Sequence, residues 1–446
     1  MNLGYISAHF IYIYLALIAI VLWYKDSKIK EVVLLSSSLV IATLLLSGIY
    51  FETFTSDRFV DFNISNYSRL MGILTLFVVI FYRSEKYFLD RVANFLLLPI
   101  SYIFVTTEDA FILLGSAIAT KSILLSSVSK NLPMNQLRKY KIIEMISIGF
   151  LLLFAVFFSI SVKSPVFVDI EVENYQLYSL AMIFLVVTII EISSGIFMGL
   201  KSHILSDSTG PARSLYFFYG IVVVLYKLIL VINNLLIEAE PEFQRSIVSF
   251  IKYYAPINFF MHNFLAINQS DIKKFFNRII SSLLGLVLLS VIVVKSGSIK
   301  AELIYYLISI LISYILISEI YDLAKNSTDA SIINENPFEA LYRRNKIATV
   351  VFILAVLNLV GIPFTYGFSS KFFFLLNYFQ EGYIYPMLVI LLSSVFVLPD
   401  VMKVISSLFS INKESMVLNF GMNKTLFLIL FSILIVIFGV YPKIYF

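Results

Sequence analysis

The sequence predicts an all-α protein that crosses a membrane many times, and three observations carry that prediction. Of its 446 residues, 60% are hydrophobic and 14% are charged, with a mean hydropathy of +0.92. Apolar side chains on that scale exceed what one soluble core can bury. They gather into runs of about 17–25 residues, the length that spans a hydrocarbon core as a helix. The basic residues then segregate by connection. Of 33 Lys and Arg, 22 fall in alternate connections beginning with Lys25–Lys30, seven in the others, and four (Lys121, Lys227, Lys252, Lys371) inside the runs.

Taken in order, the runs predict about fourteen spanning helices. The first six are Leu3–Tyr24, Val32–Phe51, Tyr67–Tyr82, Leu89–Thr106, Ala110–Val128 and Ile142–Val162. There follow Gln176–Leu200, Ala212–Leu235, Ser246–Ile267, Phe275–Val294, Ala301–Leu323, a broken run Lys346–Leu376, Tyr383–Ser407 and Thr425–Tyr441. The first run has no basic n-region and no small-residue cleavage site, so it reads as a retained helix rather than a signal peptide. By the positive-inside rule the Lys- and Arg-rich connections face the cytoplasm or matrix, which puts both termini on the opposite side. No connection exceeds about 25 residues, too short for a soluble domain, so the whole chain 1–446 reads as one transmembrane domain.

Composition also excludes chemistry. There are no cysteines, so thiolate metal sites and iron–sulfur clusters have no ligands here. His9, His203 and His262 lie far apart without ligand spacing, which speaks against a metal site or haem. No Walker loop and no strand-then-glycine dinucleotide fingerprint is present. No cofactor and no nucleic acid is therefore expected on this chain.

The stretch Leu357–Leu375, L-N-L-V-G-I-P-F-T-Y-G-F-S-S-K-F-F-F-L, departs most from a plain spanning helix. Gly361, Pro363 and Gly367 force a break, because proline removes a donor and clashes one turn back. Irregular backbone at membrane depth persists only when buried in protein or lining a wet cavity. Four residues beyond Gly367 stands Lys371, and an intramembrane lysine marks an ion pathway or relay unless it merely snorkels to the interface.

Other ionisable residues can join it. Lys121 is central in the fifth predicted helix, Lys227 lies in the C-terminal half of the eighth, and Glu191 in the seventh is the most central carboxylate. Lys121 and Glu191 are candidate partners, as a proton-relaying pair or as a fixed ion pair holding helices together. Lys252 lies near a helix end, where snorkelling explains it. Pro211 enters the eighth helix after S-H-I-L-S-D-S-T-G, whose His203 and Asp207 either titrate or cap. His262 in an apolar run reads first as a packing residue. Glu319 and Asp322 end the eleventh helix as interfacial acids, and Arg343, Arg344 and Lys346 read as a topology anchor.

G-I-P-F-T-Y-G-F-S-S-K-F at Gly361–Phe372, preceded by L-Y-R-R at Leu341–Arg344, resembles the G-I-P-P-x-x-G-F-x-G-K-F segment of the antiporter-like subunits of respiratory complex I. N-F-L-A-I-N-Q-S-D-I-K-K at Asn263–Lys274 is similar to that family's N-L-L-A-L-x-Q-x-[DN]-L-K-R. Within the family the lysine after G-F favours the subunit-N branch, and the D subunits of multisubunit Na+/H+ antiporters are the alternative. The resemblance implies two inverted five-helix repeats, about 89–235 and 246–407, after three helices at about 3–82 and before a last one at about 425–441. Each repeat would hold one discontinuous helix, the seventh and the twelfth. It implies proton translocation along a buried lysine and glutamate axis, with Lys371 at the family's twelfth-helix lysine and Lys227 about one turn beyond its eighth-helix lysine. It implies partner subunits of a respiratory complex that carry NADH, FMN, iron–sulfur clusters and quinone, and a bacterial plasma or mitochondrial inner membrane. A degenerate structural subunit is the further alternative. Three departures stand out. Ile118 falls near the family's fifth-helix glutamate, with Lys121 a turn away, and Glu191 falls near its seventh-helix lysine, so the pair reads with reversed polarity. The Pro-Phe-His-x-Trp-x-Pro-Asp stretch is reduced to Ser202–Asp207, and the second proline of G-I-P-P is Phe364.

Overall fold

The structure, a computed structural model, describes residues 97–441 apart from 98–99, 102, 106, 130–133, 168–169, 194–209, 268, 270, 293–298, 327–337, 381 and 411–421. The first three predicted helices, most of the fourth, the end of the seventh beyond Ser193, and the candidates His203 and Asp207 lie outside the described residues. Among the described residues the fold is helical, with no strand and one isolated bridge between Val162 and Val172. Six of the described helices are long and apolar enough to cross a membrane.

Helix α1 (Ala110–Ser129) starts where Asp109 Oδ1 accepts the N–H groups of Phe111 and Ile112, a side-chain cap for donors that the first turn leaves open. Its compact unit is Met1–Lys130; all other helices belong to a second unit, Asn131–Phe446. Helix α2 (Met134–Ser161) begins two turns earlier than its apolar run. Its 28 residues rise about 42 Å, so the start, with Arg138, Lys139 and Lys141, is the basic connection folded into helix. Helix α3 (Tyr175–Ser193) is capped by Asn174 Oδ1 and packs along α2.

The eighth predicted helix is three pieces in sequence: α4 (Gly210–Leu215), a π-helical stretch Tyr216–Val222, and α5 (Val223–Ile237). Pro211 lies in the first turn of α4, where a missing N–H costs no hydrogen bond. Helix α6 (Pro241–Ala266) likewise opens on proline. Helix α7 (Ile272–Leu286), capped by Asp271, tightens into a 3-10 stretch Val287–Val291. Helix α8 (Ile299–Asn326) follows, then a single turn α9 (Leu341–Arg344).

The broken run becomes two helices, α10 (Lys346–Val360) and α11 (Tyr366–Gln380), followed by α12 (Ile384–Ser407) and α13 (Met422–Val440). Helix α6 packs on α7 and α12, whereas α8 packs on α10 and α11, and α13 closes against both of those. The most apolar window of Arg213–Ile237 is wholly buried, while that of α12 is only 22% buried. Leu388, Leu391, Leu392, Val395 and Phe396 of α12 are exposed. A soluble surface does not carry such a stripe, and in lipid it costs nothing.

Candidate functional site

The break in the twelfth predicted helix is built from the residues that predicted it. Helix α10 ends at Gly361, whose φ of 84° is left-handed, the conformation glycine adopts without a Cβ penalty. The N–H groups of Gly361 and Ile362 both donate to Leu357 O at 3.0 Å. Pro363 donates nothing, and Phe364 then takes φ 69°, a value proline cannot reach. The departure from G-I-P-P is therefore tied to the backbone at that residue. Because Phe364 is 76% exposed, its side chain contributes little, and Phe364→Gly is expected to raise stability by about 1 kcal/mol by removing left-handed strain. Thermal unfolding in detergent checks this.

Across the break, the first turn of α11 is capped twice. Thr365 Oγ1 accepts the N–H of Phe368 at 3.3 Å, and Asn358 Oδ1 on α10 accepts the N–H of Gly367 at 2.6 Å. The Asn358 amide also donates to Ser309 O at 3.1 Å and Ser313 Oγ at 2.7 Å on α8.

Lys371 lies one turn into α11 and is buried. Its Nζ sits 4.9 Å from the centroid of the Phe259 ring of α6. A small cavity beside it is lined by Tyr306, Ser309, Asn358 and Gly367, and Ser370 Oγ donates to Ser309 Oγ at 2.9 Å. Among the described residues no carboxylate pairs with Lys371. The face of an aromatic ring favours a cation held over it.

Lys227 is buried in α5, beyond the π-helical stretch. π-Helical turns inside α-helices are frequent at functional sites. Here the stretch begins at Tyr216, whose hydroxyl donates to the Glu144 carboxylate of α2. Tyr140 meets Tyr216 edge-on, with ring centroids 5.6 Å apart. Glu144 and Glu191 are both buried. Sequence reading missed Glu144 because the predicted helix began at Ile142 and left it at an end. With α2 starting at Met134, it lies about 15 Å along the axis. Lys121 is buried in α1.

The remaining candidates sort by packing. His262 and Asn258, one turn apart on α6, are buried, and Asn263 beside them accepts from Ser282 Oγ at 2.8 Å. Lys252 lies over the rings of Tyr253 and Tyr383 at 5.7 and 5.1 Å. Arg344 is buried and donates to Ala324 O at 3.0 Å near the end of α8, while Arg343 is exposed. Asp322 is paired with Arg213 of α4 at 2.9 Å. With side chains 8% and 23% exposed, the pair falls between the exposed and fully buried cases. Asp322→Ala is expected to cost roughly 2 kcal/mol, read as a lowered unfolding midpoint. Among the described residues no group of three or more His, Cys, Asp or Glu could hold a metal ion.

Known proteins share the fold. NADH-quinone oxidoreductase subunit N of Blochmanniella floridana is 25% identical over 343 residues, which is 68% of this chain and 66% of that protein. The chain spans between 28% and 66% of the length of five curated proteins bearing the subunit N name. A chain of respiratory complex I from Thermus thermophilus superposes with a TM-score of 0.77 at 15% identity, covering 98% of this chain and 97% of that one. A chain of the Mrp complex from Dietzia sp. DQ12-45-1b superposes with a TM-score of 0.76 at 11% identity, covering 100% and 96%. The family model described as "NADH:quinone oxidoreductase/Mrp antiporter, TM" matches residues 123–397, a span holding both halves of the broken helix, Lys227, Lys371 and Glu191. The chain belongs to that family of membrane-spanning NADH:quinone oxidoreductase and Mrp antiporter proteins.

Proposed function

We propose that this protein is a proton-translocating membrane-arm subunit of a complex I-type NADH:quinone oxidoreductase, of the subunit-N kind. The observation that carries the reading is Lys371, buried against an aromatic face at a helix break lined by hydroxyl and amide groups. A lysine so placed takes up and releases a proton as its surroundings shift, and moves no electrons. Lys227 and Lys371 are the proposed carriers, with Lys121 and Glu191 modulating them in the first half of the chain. Gly361, Pro363 and Gly367 are assigned to the break that admits water to Lys371. Pro211 opens the eighth helix, just after the discontinuous seventh of the first repeat, and the repeats run over about 89–235 and 246–407. NADH, FMN, iron–sulfur clusters and quinone belong to partner subunits. Both termini face the side away from the Lys- and Arg-rich connections, the periplasm or intermembrane space.

The test is NADH-driven proton uptake by inverted membrane vesicles carrying the assembled complex. The family model also spans Mrp antiporters, which supports a second reading as a subunit of a cation/proton antiporter. Proton flux that needs sodium but not NADH would favour the antiporter. Unchanged stoichiometry after loss of both Lys227 and Lys371 would leave a structural role that only bridges neighbours.

A further inference from the structure

We propose that Asn358 is the positioning residue of the broken helix: its side-chain amide ties the start of α11 to α8 and so sets where Lys371 lies. The inference rests on the reading of Lys371 as a proton carrier. Asn358 is 1% exposed, and both arms of its amide are used. The carbonyl arm takes the Gly367 N–H, one of the donors that a new helix start leaves open. The amino arm reaches Ser309 and Ser313 on a third helix. Lys371 follows Gly367 by one turn, so any displacement of Gly367 carries straight to the lysine.

A second tie confirms which helices are joined, because Ser370, adjacent to Lys371, donates to Ser309 Oγ. Asn358, Gly367 and Ser309 border the cavity at Lys371. Asparagine suits this position for a chemical reason. One short planar group must present an acceptor to α11 and two N–H donors to α8, and no aliphatic, hydroxyl or carboxylate side chain does both. An apolar residue of similar volume would fill the space and leave the Gly367 N–H and the Ser309 carbonyl without these partners.

The chain has no cysteine, so Lys371→Cys places a single thiol at the site. The assembled complex is exposed to a small methanethiosulfonate, and labelling is read on this chain after separation from its partners. Adding Asn358→Leu is expected to raise the labelling rate about tenfold, the equivalent of one buried hydrogen bond lost. Asn358→Gln, which keeps both the carbonyl acceptor and the amide donors, is expected to stay nearer the parent rate. Where the leucine variant does not accumulate, Asn358→Ser, too short to reach Gly367, takes its place. Equal rates in all variants, or a glutamine that behaves as the leucine does, overturn the proposal. With Lys371 retained, Asn358→Leu is expected to lower protons moved per NADH at unchanged NADH oxidation, and Asn358→Gln to restore them. A labelling change of the expected pattern with an unchanged proton ratio upholds Asn358 as the positioning residue and overturns Lys371 as the carrier.

Discussion

Lys371→Ala is expected to lower proton translocation by roughly tenfold or more, the scale on which a positioned proton-transfer group contributes, and to do so more severely than Lys227→Ala. The physical difference lies in the surroundings of the two lysines. Lys371 sits at an intact break, with a cavity, a hydroxyl row and an aromatic face that accepts its charge. Lys227 stands in a wholly buried apolar helix beyond a π-helical stretch, about one turn past the position its family resemblance assigns. Proton uptake by inverted vesicles measures the effect, with NADH oxidation by an artificial acceptor as the control for assembly. A larger loss at Lys227 would contradict this ordering. It would also move the working half of the chain to the first repeat.

Gly367→Ala is expected to cost about 3 kcal/mol or more, at the upper end for overpacking, and to deplete the assembled chain from the membrane. A Cβ at Gly367 would lie 1.8 Å from Asn358 O and 2.8 Å from Asn358 C. Both are backbone atoms, so no rotamer change relieves the clash and the start of α11 must move. Gly361 offers the contrast within the same motif. A Cβ there meets nothing nearer than 3.6 Å, and the penalty comes from its φ of 84° alone, about 1–2 kcal/mol for an L-residue. The two alanine variants, compared by amount in membranes and by unfolding midpoint, should therefore separate, with Gly367→Ala the worse. Equal losses would mean that conformational strain and not close approach of α10 and α11 governs the break.

These two glycines also show how far the primary structure could be read. That both are needed at a break follows from G-x-P-x-x-x-G in an apolar run, since proline denies a donor wherever it falls. Which glycine answers a dihedral demand and which a distance demand depends on where α10 lies relative to α11. The lysine was visible for a similar reason, because a charge inside an apolar run has no cheap alternative to a buried, functional place. Asn358 in that stretch carries no such signal, since an amide among leucines shows no period and its three partners lie 9, 45 and 49 residues away.

Local composition thus settled the membrane class, most helix positions among the described residues, the break and its lysine. It could do so because burial of apolar length and the geometry of glycine and proline act within a few residues. Folding settled the rest. The π-helical stretch that turns Tyr216 toward Glu144 is a response to packing, as its sequence YFFYGIV is ordinary for a helix. Arg213 and Asp322 are 109 residues apart, and each alone looks like an interfacial charge. Glu144 looked peripheral until α2 extended into its basic connection. In each case the deciding energy is the cost of leaving a polar group unmatched away from water. That cost is met by a partner chosen in three dimensions, which no short window of sequence contains.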